Sequence, residues 1–426
     1  MSFKNDMWSW AQDLFPINRS ITGPGVRKTL NYLRKINPEL KIKFFKSGDK
    51  VFDWTIPNEW SVNEAYILNS KGKKIIDFKK NNLHLLGYSA PINRMVSKRE
   101  LIKHLYTLPN NPTAIPYRTS YYKKRWGFCL SYQQFKKLKN EKFKVFIDSK
   151  FKKGRLNYGE IILKGEEKKE IFFSTYICHP SMANNEVSGP VLCTALIKWL
   201  CEQKKRRYTY RFIFIPETIG SIAYLSKYHK LLKSKIIAGY NISCVGDNNN
   251  FSYLPSRNGD TYSDRVAKFI LYKHMIRFKT FSFIDDRGSD ERQYCSPRID
   301  LPICSIMRSK FGEYPEYHTS NDNLQFISKE GLYGSFRIYS DIIKTIEKSI
   351  FYKVTHFCEP FLSKRKMRNS LGGGKMNLSS KILTNILAIA DGRNDVIDIS
   401  NQLGISLKKL NKYIKILLKK KLIIES

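Results

Sequence analysis

Apolar and polar positions follow two different periods along this chain, and the change of period divides the sequence. From about residue 157 to 347, short apolar runs typical of buried strands alternate with stretches in which apolar residues recur every three or four positions. The runs predict strands near Gly159–Leu163, Ile171–Ile177, Tyr210–Ile215, Ala238–Val245 and Pro302–Met307, and the stretches predict helices near Val187–Glu202, Ile219–Lys230, Ser263–Met275 and Lys329–Glu347. Such alternation indicates an α/β fold whose mixed, largely parallel sheet is flanked by helices.

The segments before this region have another pattern. Residues 1–45 predict two amphipathic helices joined by a loop that carries Arg19 and Ser20, which is either a structural turn or an anion-binding loop. From roughly Val51 to Lys150, short alternating runs separated by turn residues predict a small β-rich unit. Its most aromatic part, Tyr121–Cys129, is either core packing or a wall that faces a substrate.

The end of the chain predicts a separate small module. Residues 361–378 are basic and contain three consecutive glycines, which is typical of a linker. Residues 379–426 predict three helices and a terminal strand, the order of a winged-helix domain. Residues 1–52 and 151–360 then form the core. The lysines of the winged helix are compatible with a nucleic-acid partner. The alternative is that the module serves in docking or in forming a homo-oligomer.

Composition changes this picture only in part. A chain of 426 residues with 42% hydrophobic residues is long enough for several domains. Its formal net charge of +38 is spread over the whole length. This distribution indicates a lysine-rich composition in general rather than one basic segment that binds nucleic acid. The eight cysteines form no CxxC pair and are expected to be buried thiols. Without a long apolar stretch or a signal-peptide layout, a cytoplasmic protein with no membrane partner is expected.

Four polar residues lie in loops where the chemistry of a site is expected. His179, Glu217 and Asp247 follow predicted strands, and sites in such sheets lie beyond the strand C-termini. His318 lies in a polar loop with acidic neighbours. Catalytic zinc takes about three His or carboxylate ligands and keeps a place for water. We therefore expect His179, Asp247 and His318 to hold zinc, with the imidazoles within about 10 Å of each other, and Glu217 to act as general base.

Two further segments carry candidate residues. Asp290 and Glu291 lie in a dense charge cluster that is a second metal shell, a site for a substrate amine or a solvated loop. Arg257 lies in a turn and would face a substrate carboxylate. For Glu217 itself, the structural alternative is a carboxylate that interacts with a helix N-terminus.

Taken together, several segments resemble the aminopeptidase-like proteins of bacterial surface-polysaccharide gene clusters, relatives of the M28 zinc aminopeptidases. They are LFPINRSITGPGVR at 14–27, CHPSMANNEVSGP at 178–190, IPETIGS at 215–221, CVGD at 244–247, LPSRNGDTYSDR at 254–265, GSDERQYCSP at 288–297 and EYHTSNDN at 316–323. The resemblance implies a zinc-exopeptidase core, an inserted β-rich domain at about 53–150 and a C-terminal winged helix.

Residue by residue, the resemblance places His179, Asp247 and His318 on metal-binding positions and Glu217 on the general base. Asn185 occupies the place of a bridging Asp, and Thr218 occupies the place of a second Glu ligand. Because two anionic ligands are absent, we expect one tightly held zinc, or a second zinc completed by groups such as Glu186, Asp290 or Glu291.

The resulting functional hypothesis is a zinc-dependent, aminopeptidase-like hydrolase of amide bonds that acts on a peptide or aminoacyl-type small substrate and is linked to surface polysaccharide biosynthesis. Two alternatives remain. One is a non-catalytic or regulatory protein that keeps the fold and binds a ligand or DNA. The other is an amino-sugar deacylase.

Overall fold

The computed structural model of the protein describes residues 3–367 and 376–426, and the chain divides into two compact units. The first unit comprises Met1–Ala267 and Leu271–Ser340, and the second comprises Lys268–Ile270 and Asp341–Ser426. The glycines at 372–374, predicted as a linker, lie outside the described residues. None of the helices in the described part of the chain combines the length and apolar character that a bilayer crossing requires.

The helices are α1 (Phe3–Leu14), α2 (Pro24–Ile36), α3 (Lys98–Ile102), α4 (Tyr132–Lys136), α5 (Ser188–Cys201), α6 (Ile219–Lys235), α7 (Tyr262–Lys273), α8 (Phe283–Asp286), α9 (Glu291–Tyr294), α10 (Lys329–Lys348), α11 (Leu378–Ile389), α12 (Val396–Leu403) and α13 (Leu407–Lys419). Short 3₁₀ turns occur at Asn82–His84 and Ser363–Arg365, and a π-helical turn occurs at Ala183–Val187.

The strands are β1 (Lys41–Lys46), β2 (Lys50–Val51), β3 (Trp54–Thr55), β4 (Glu59–Leu68), β5 (Lys74–Asp77), β6 (Ile92–Ser97), β7 (Leu105–Tyr106), β8 (Phe128–Cys129), β9 (Lys142–Lys152), β10 (Arg155–Leu163), β11 (Glu170–Tyr176), β12 (Thr209–Ile215), β13 (Ile236–Asn241), β14 (Phe251–Leu254), β15 (Phe278–Thr280), β16 (Ile303–Met307), β17 (Phe351–Val354), β18 (Asp391–Asp395) and β19 (Ile423–Glu425).

The first unit is built on an eight-stranded sheet in the order β1-β10-β12-β11-β13-β16-β14-β15. β11 pairs in parallel with β12 and β13, and β13 pairs in parallel with β16. The pairs β1–β10, β10–β12 and β14–β16 are antiparallel. Every residue of β11 and β12 is buried, as expected for strands covered on both faces. The predicted mixed, largely parallel sheet is confirmed.

The inserted segment forms a second, four-stranded antiparallel sheet in the order β5-β4-β9-β6. Along β9 buried positions alternate with less buried ones, which is the period of a strand with one covered face. Its buried residues, such as Trp60 and Val145, belong to the same apolar cluster as Tyr176, Cys178 and Ile219. The insertion therefore packs beside the loops that follow β11 and β12.

The second unit is a winged helix, as predicted. Helices α11, α12 and α13 pack around a shared core with a three-stranded sheet in the order β18-β17-β19. Asp395 caps α12, Gly404 ends it with φ 60°, and Ser406 caps α13. The sheet corrects one predicted boundary. β17 lies well before residue 379 and pairs with both other strands, so the winged helix begins near residue 351.

Arg211 on β12 allows a test of how much buried ion pairs stabilise the central sheet. Its guanidinium is buried and lies 2.6 Å from both Glu160 on β10 and Glu170 on β11. Arg211→Met would leave two buried carboxylates without this cation and should lower the free energy of unfolding by about 3–5 kcal/mol. A shift of the urea midpoint at unchanged slope measures the loss.

Arg94→Met is the matched control because Arg94 pairs with Glu100 on the surface. We expect it to change stability by less than about 1 kcal/mol. Equal losses for the two variants would show that the buried cation does not hold the strands together.

Candidate active site

His179 lies in the loop after β11, and buried charged groups fix its ring. Its Nδ1 lies 2.7 Å from the Glu186 carboxylate. Arg19 donates from Nε to the backbone oxygen of His179 at 2.9 Å and lies 3.3 Å from the other oxygen of Glu186. Burial lowers the pKa of His179, but Cys178 and Glu186 raise it more, so it lies above its ordinary value. Because Nδ1 is engaged, Nε2 is the nitrogen left for a ligand.

The π-helical turn at Ala183–Val187 presents Asn185 and Glu186. Such turns recur at functional sites. Buried Asp322 accepts the backbone N–H groups of Asn184 and Asn185 at 2.6 and 2.9 Å. The Asn185 side chain donates to the Tyr176 hydroxyl at 2.7 Å, while its buried Oδ1 has no partner among the described residues. Asp322 therefore holds the turn in place.

Glu217 follows β12 at a strained turn. Thr218 has φ 63° and ψ −78°, and the N–H of Ile219 donates to the Glu217 carbonyl at 2.8 Å. This is a γ-turn of the rare, strained kind, and a β-branched residue seldom adopts it. Asp290 supports the turn by accepting from the Thr218 N–H at 2.7 Å. The turn brings the Glu217 carboxylate to 3.5 Å from His179 Nε2.

His318 meets this group from a distant loop. Its ring centroid lies 5.4 Å from that of His179, well within the predicted 10 Å limit. Tyr317 stacks on it at 3.9 Å, and Tyr117 packs edge-on against both imidazoles. Burial, with the nearby charges of His179 and Arg118, holds the pKa of His318 well below its usual value. The ring is therefore neutral at physiological pH, and its buried Nε2 has no partner in the described part of the chain.

The inserted segment places the His318 loop. The N–H of Tyr117 donates to the His318 carbonyl at 2.8 Å, and the N–H of Ser320 donates to the Ile115 carbonyl at 2.9 Å. Pro116 forms an antiparallel bridge with Thr319 between these bonds. The backbone of the insertion thus fixes one of the imidazoles.

His179, Glu217 and His318 line one cavity of about 300 Å³. Aromatic side chains of and near the insertion form its other wall: Trp54, Tyr117, Tyr121 and Tyr122. For Tyr121 and Tyr122, this position agrees with the substrate-wall alternative for the aromatic segment. Cys178 also lines the cavity, but burial raises the pKa of its thiol to about 11, so it is not a thiolate nucleophile at neutral pH.

The donors at this cavity fit one zinc ion. Two imidazoles that face the same space are ligands that zinc takes in proteins, and the Glu217 carboxylate beside them lies where it could act on a water bound to the ion. The groups near them fit a second ion poorly. Asn185 offers a neutral amide, and the Thr218 hydroxyl accepts a hydrogen bond from Arg292 at 2.8 Å. Neither supplies the negative charge that would offset the repulsion between two cations.

The structure does not bring two of the predicted residues to this cavity. Asp247 accepts from the Asn184 side chain at 2.8 Å and from the backbone of Asn249 and Ser309 at 2.8 and 3.0 Å. Asp247 is not among the residues that line the cavity, and its hydrogen bonds cross-link the loops around it. Arg257 forms a two-point ion pair with Asp300 and does not line the cavity.

The predicted acidic residues have supporting roles. Glu186 orients His179 and does not line the cavity. Glu291 accepts the N–H groups of Gly288 and Ser289 at 2.8 and 2.9 Å. Burial, followed by the charge of Glu217, raises the pKa of Asp290 to about 8. Asp290 and Glu291 thus hold loops behind Glu217.

Sequence reasoning missed three contributors. Arg19 was expected to be a turn or an anion-binding residue, but it is a buried support of His179. Asp322, one of the acidic neighbours of His318 in the sequence, holds the turn that carries Asn185. Tyr117 gave no signal because its contacts with the imidazoles join segments far apart in sequence.

Comparison with known proteins places the chain in a family. The model described as Domain of unknown function (DUF4910) matches residues 8–349. The chain belongs to the DUF4910 family. A winged helix-turn-helix model matches residues 350–425, directly after the DUF4910 region.

One relative is a proposed polysaccharide biosynthesis protein with an aminopeptidase-like domain from Clostridium acetobutylicum, 43% identical over 407 residues, or 95% of this chain and 93% of the relative. A solved structure of a proposed peptidase from the same organism is 41% identical, covers 99% of this chain and 96% of that chain, and gives a TM-score of 0.85. The predicted resemblance is confirmed.

A more distant solved structure is a zinc aminopeptidase from Bacillus subtilis. It covers 81% of this chain and 94% of that chain at 12% identity, with a TM-score of 0.59. At that identity it shows that the DUF4910 core shares the peptidase fold, and no more.

Asp322→Asn tests the support of the π-helical turn. The amide replaces one of the two oxygens that accept the N–H groups of Asn184 and Asn185 by an NH₂ group that cannot accept, so one buried N–H should lose its acceptor at a cost of about 1–3 kcal/mol in urea unfolding. Burial raises the pKa of Asp322 to about 7. Folding therefore favours the protonated acid, and this contribution is lost as pH rises towards about 7. The penalty of the variant should be larger at low pH than at pH 8.

Asp285→Asn, at an exposed position of α8, is the control and should leave stability unchanged. Equal stability of the Asp322 variant and the control across this pH range would contradict the proposed support.

Proposed function

We propose that this DUF4910 protein is an amide hydrolase that uses a single zinc ion. The observation that carries the proposal is the convergence of His179, His318 and Glu217 on one cavity. The neutral Nε2 of His318, which has no partner among the residues that the structure describes, adds to it, because a buried nitrogen without a hydrogen bond is costly unless it binds a ligand.

The chain's own residues have distinct tasks in this proposal. His179 and His318 would hold the ion, which would polarise the amide carbonyl and lower the pKa of water. Glu186 keeps the His179 ring in the orientation and tautomer that leave Nε2 available. Glu217 accepts the proton of the attacking water and passes it to the leaving nitrogen. The aromatic wall limits the access of bulk water to the reacting bond.

The name of the Clostridium acetobutylicum relative supports a place in polysaccharide biosynthesis. In this proposal the substrate is a small precursor that carries an amide, such as an aminoacyl or N-acyl group. A cavity of about 300 Å³ suits one sugar or amino-acid residue rather than a folded protein. Deacylation of an amino sugar is included in this class.

A second candidate is ligand binding without turnover. Asn185 and Thr218 favour it because they remove two anionic positions that the resemblance assigns to metal ligands. Metal content and amide turnover together separate the two functions.

Purification without chelator should give one zinc per chain by inductively coupled plasma mass spectrometry. Glu217→Gln should keep the zinc and lower the turnover of an amide panel by about 10²- to 10⁴-fold. The panel comprises aminoacyl p-nitroanilides, N-acetyl amino acids and N-acetylglucosamine. His318→Ala should lose both zinc and turnover.

Protein without zinc, or a Glu217→Gln variant as active as the wild type, would contradict the proposed hydrolase. Stoichiometric zinc with no turnover of any amide would favour the binding protein.

Glu186→Gln tests the orientation of His179 separately. The amide can still accept the Nδ1–H, but it lacks the charge that strengthens the imidazole as a ligand, so zinc affinity should fall about 10- to 100-fold. Competition with a fluorescent zinc chelator measures the affinity. Glu202→Gln, exposed just after α5, is the control, and a similar affinity in both variants would argue against this role of Glu186.

A further inference from the structure

We propose that Arg292 binds an anionic group of the substrate, so that the amide is carried by a compound with a carboxylate or phosphate and no free ammonium group. This inference rests on the proposed function because it concerns the substrate of the same cavity.

Arg292 does not line the cavity itself but is hydrogen-bonded to a residue that does. Its Nη2 donates to the Thr218 hydroxyl at 2.8 Å, and Thr218 lines the cavity beside Glu217. Because the strained turn fixes Thr218, its hydroxyl gives the guanidinium a defined position. Arg292 is exposed and forms no ion pair within the described residues. A guanidinium has five N–H donors, so the remaining donors can meet an anion in two-point geometry.

A second exposed arginine adjoins the cavity lining in the sequence. Arg118 is exposed and lies between Tyr117 and Thr119, both of which line the cavity. Arg118 and Arg292 therefore give the space around the imidazoles a positive potential.

A bound zinc ion would also give the inside of the cavity a net positive charge. Glu217 is the one carboxylate among the residues described as lining it. The two positive charges of a zinc ion would outweigh the single negative charge of Glu217. A free ammonium group would be repelled, whereas a carboxylate or phosphate would be attracted. At Thr218, where the resemblance expects an anionic ligand, this chain has instead a neutral hydroxyl bound to a guanidinium.

The experiment measures binding without turnover. Titration calorimetry on the zinc-loaded, full-length Glu217→Gln protein would compare N-acetylalanine with N-acetylalanine amide, and N-acetylglucosamine 1-phosphate with N-acetylglucosamine. Alanine amide is the free-amine probe. We expect the anionic member of at least one pair to bind about tenfold or more tightly than its neutral partner. The pair that shows the difference identifies carboxylate or phosphate as the recognised group.

Adding Arg292→Gln should abolish most of this difference and leave the affinity for the neutral probe unchanged. Arg298→Gln, at an exposed arginine nearby in sequence, is the matched control and should preserve it. The inference is overturned by equal affinities within both pairs, by the tightest binding of alanine amide, by equal effects of the two arginine variants, or by no binding of any probe. Zinc content is measured separately, so these failures are distinct from a failure of the proposed function.

Discussion

The buried contact of Glu186 with both His179 and Arg19 is the interaction on which the rest of the site depends. It uses one imidazole nitrogen and thereby leaves the other facing Glu217. It also joins three pieces of chain: the loop after α1, the loop after β11 and the π-helical turn. A buried carboxylate and guanidinium are costly to desolvate unless each meets a partner, so the fold must bring these pieces together to satisfy their charges. The position of His179 follows from that requirement.

Much of the fold could be predicted because the signals were local. The fully apolar runs of β11 and β12 and the periodic helices between them indicate a covered sheet, and the sheet topology then places His179 and Glu217 at the same edge. Asp247 could not be assigned in this way. The sequence does not show whether a carboxylate that follows a strand binds a metal or accepts backbone N–H groups. In this structure Asp247 accepts the backbone N–H groups of Asn249 and Ser309.

Other features depend on long-range contacts that no periodicity encodes. Arg257 pairs with Asp300, and Arg19 reaches a carbonyl 160 residues away. The start of the winged helix was misplaced for the same reason. β17 is a short strand whose partners, β18 and β19, lie much later in the chain, so it looked like the end of the preceding domain.

The backbone pairing of residues 115–117 with the loop around His318 changes how the insertion should be understood. An appended domain can in principle be lost or exchanged while the catalytic centre keeps its shape. Here the backbone next to His318 pairs with the insertion, so shortening the insertion would displace this imidazole from the cavity that it shares with His179. The two parts have to be inherited, engineered and expressed as one piece.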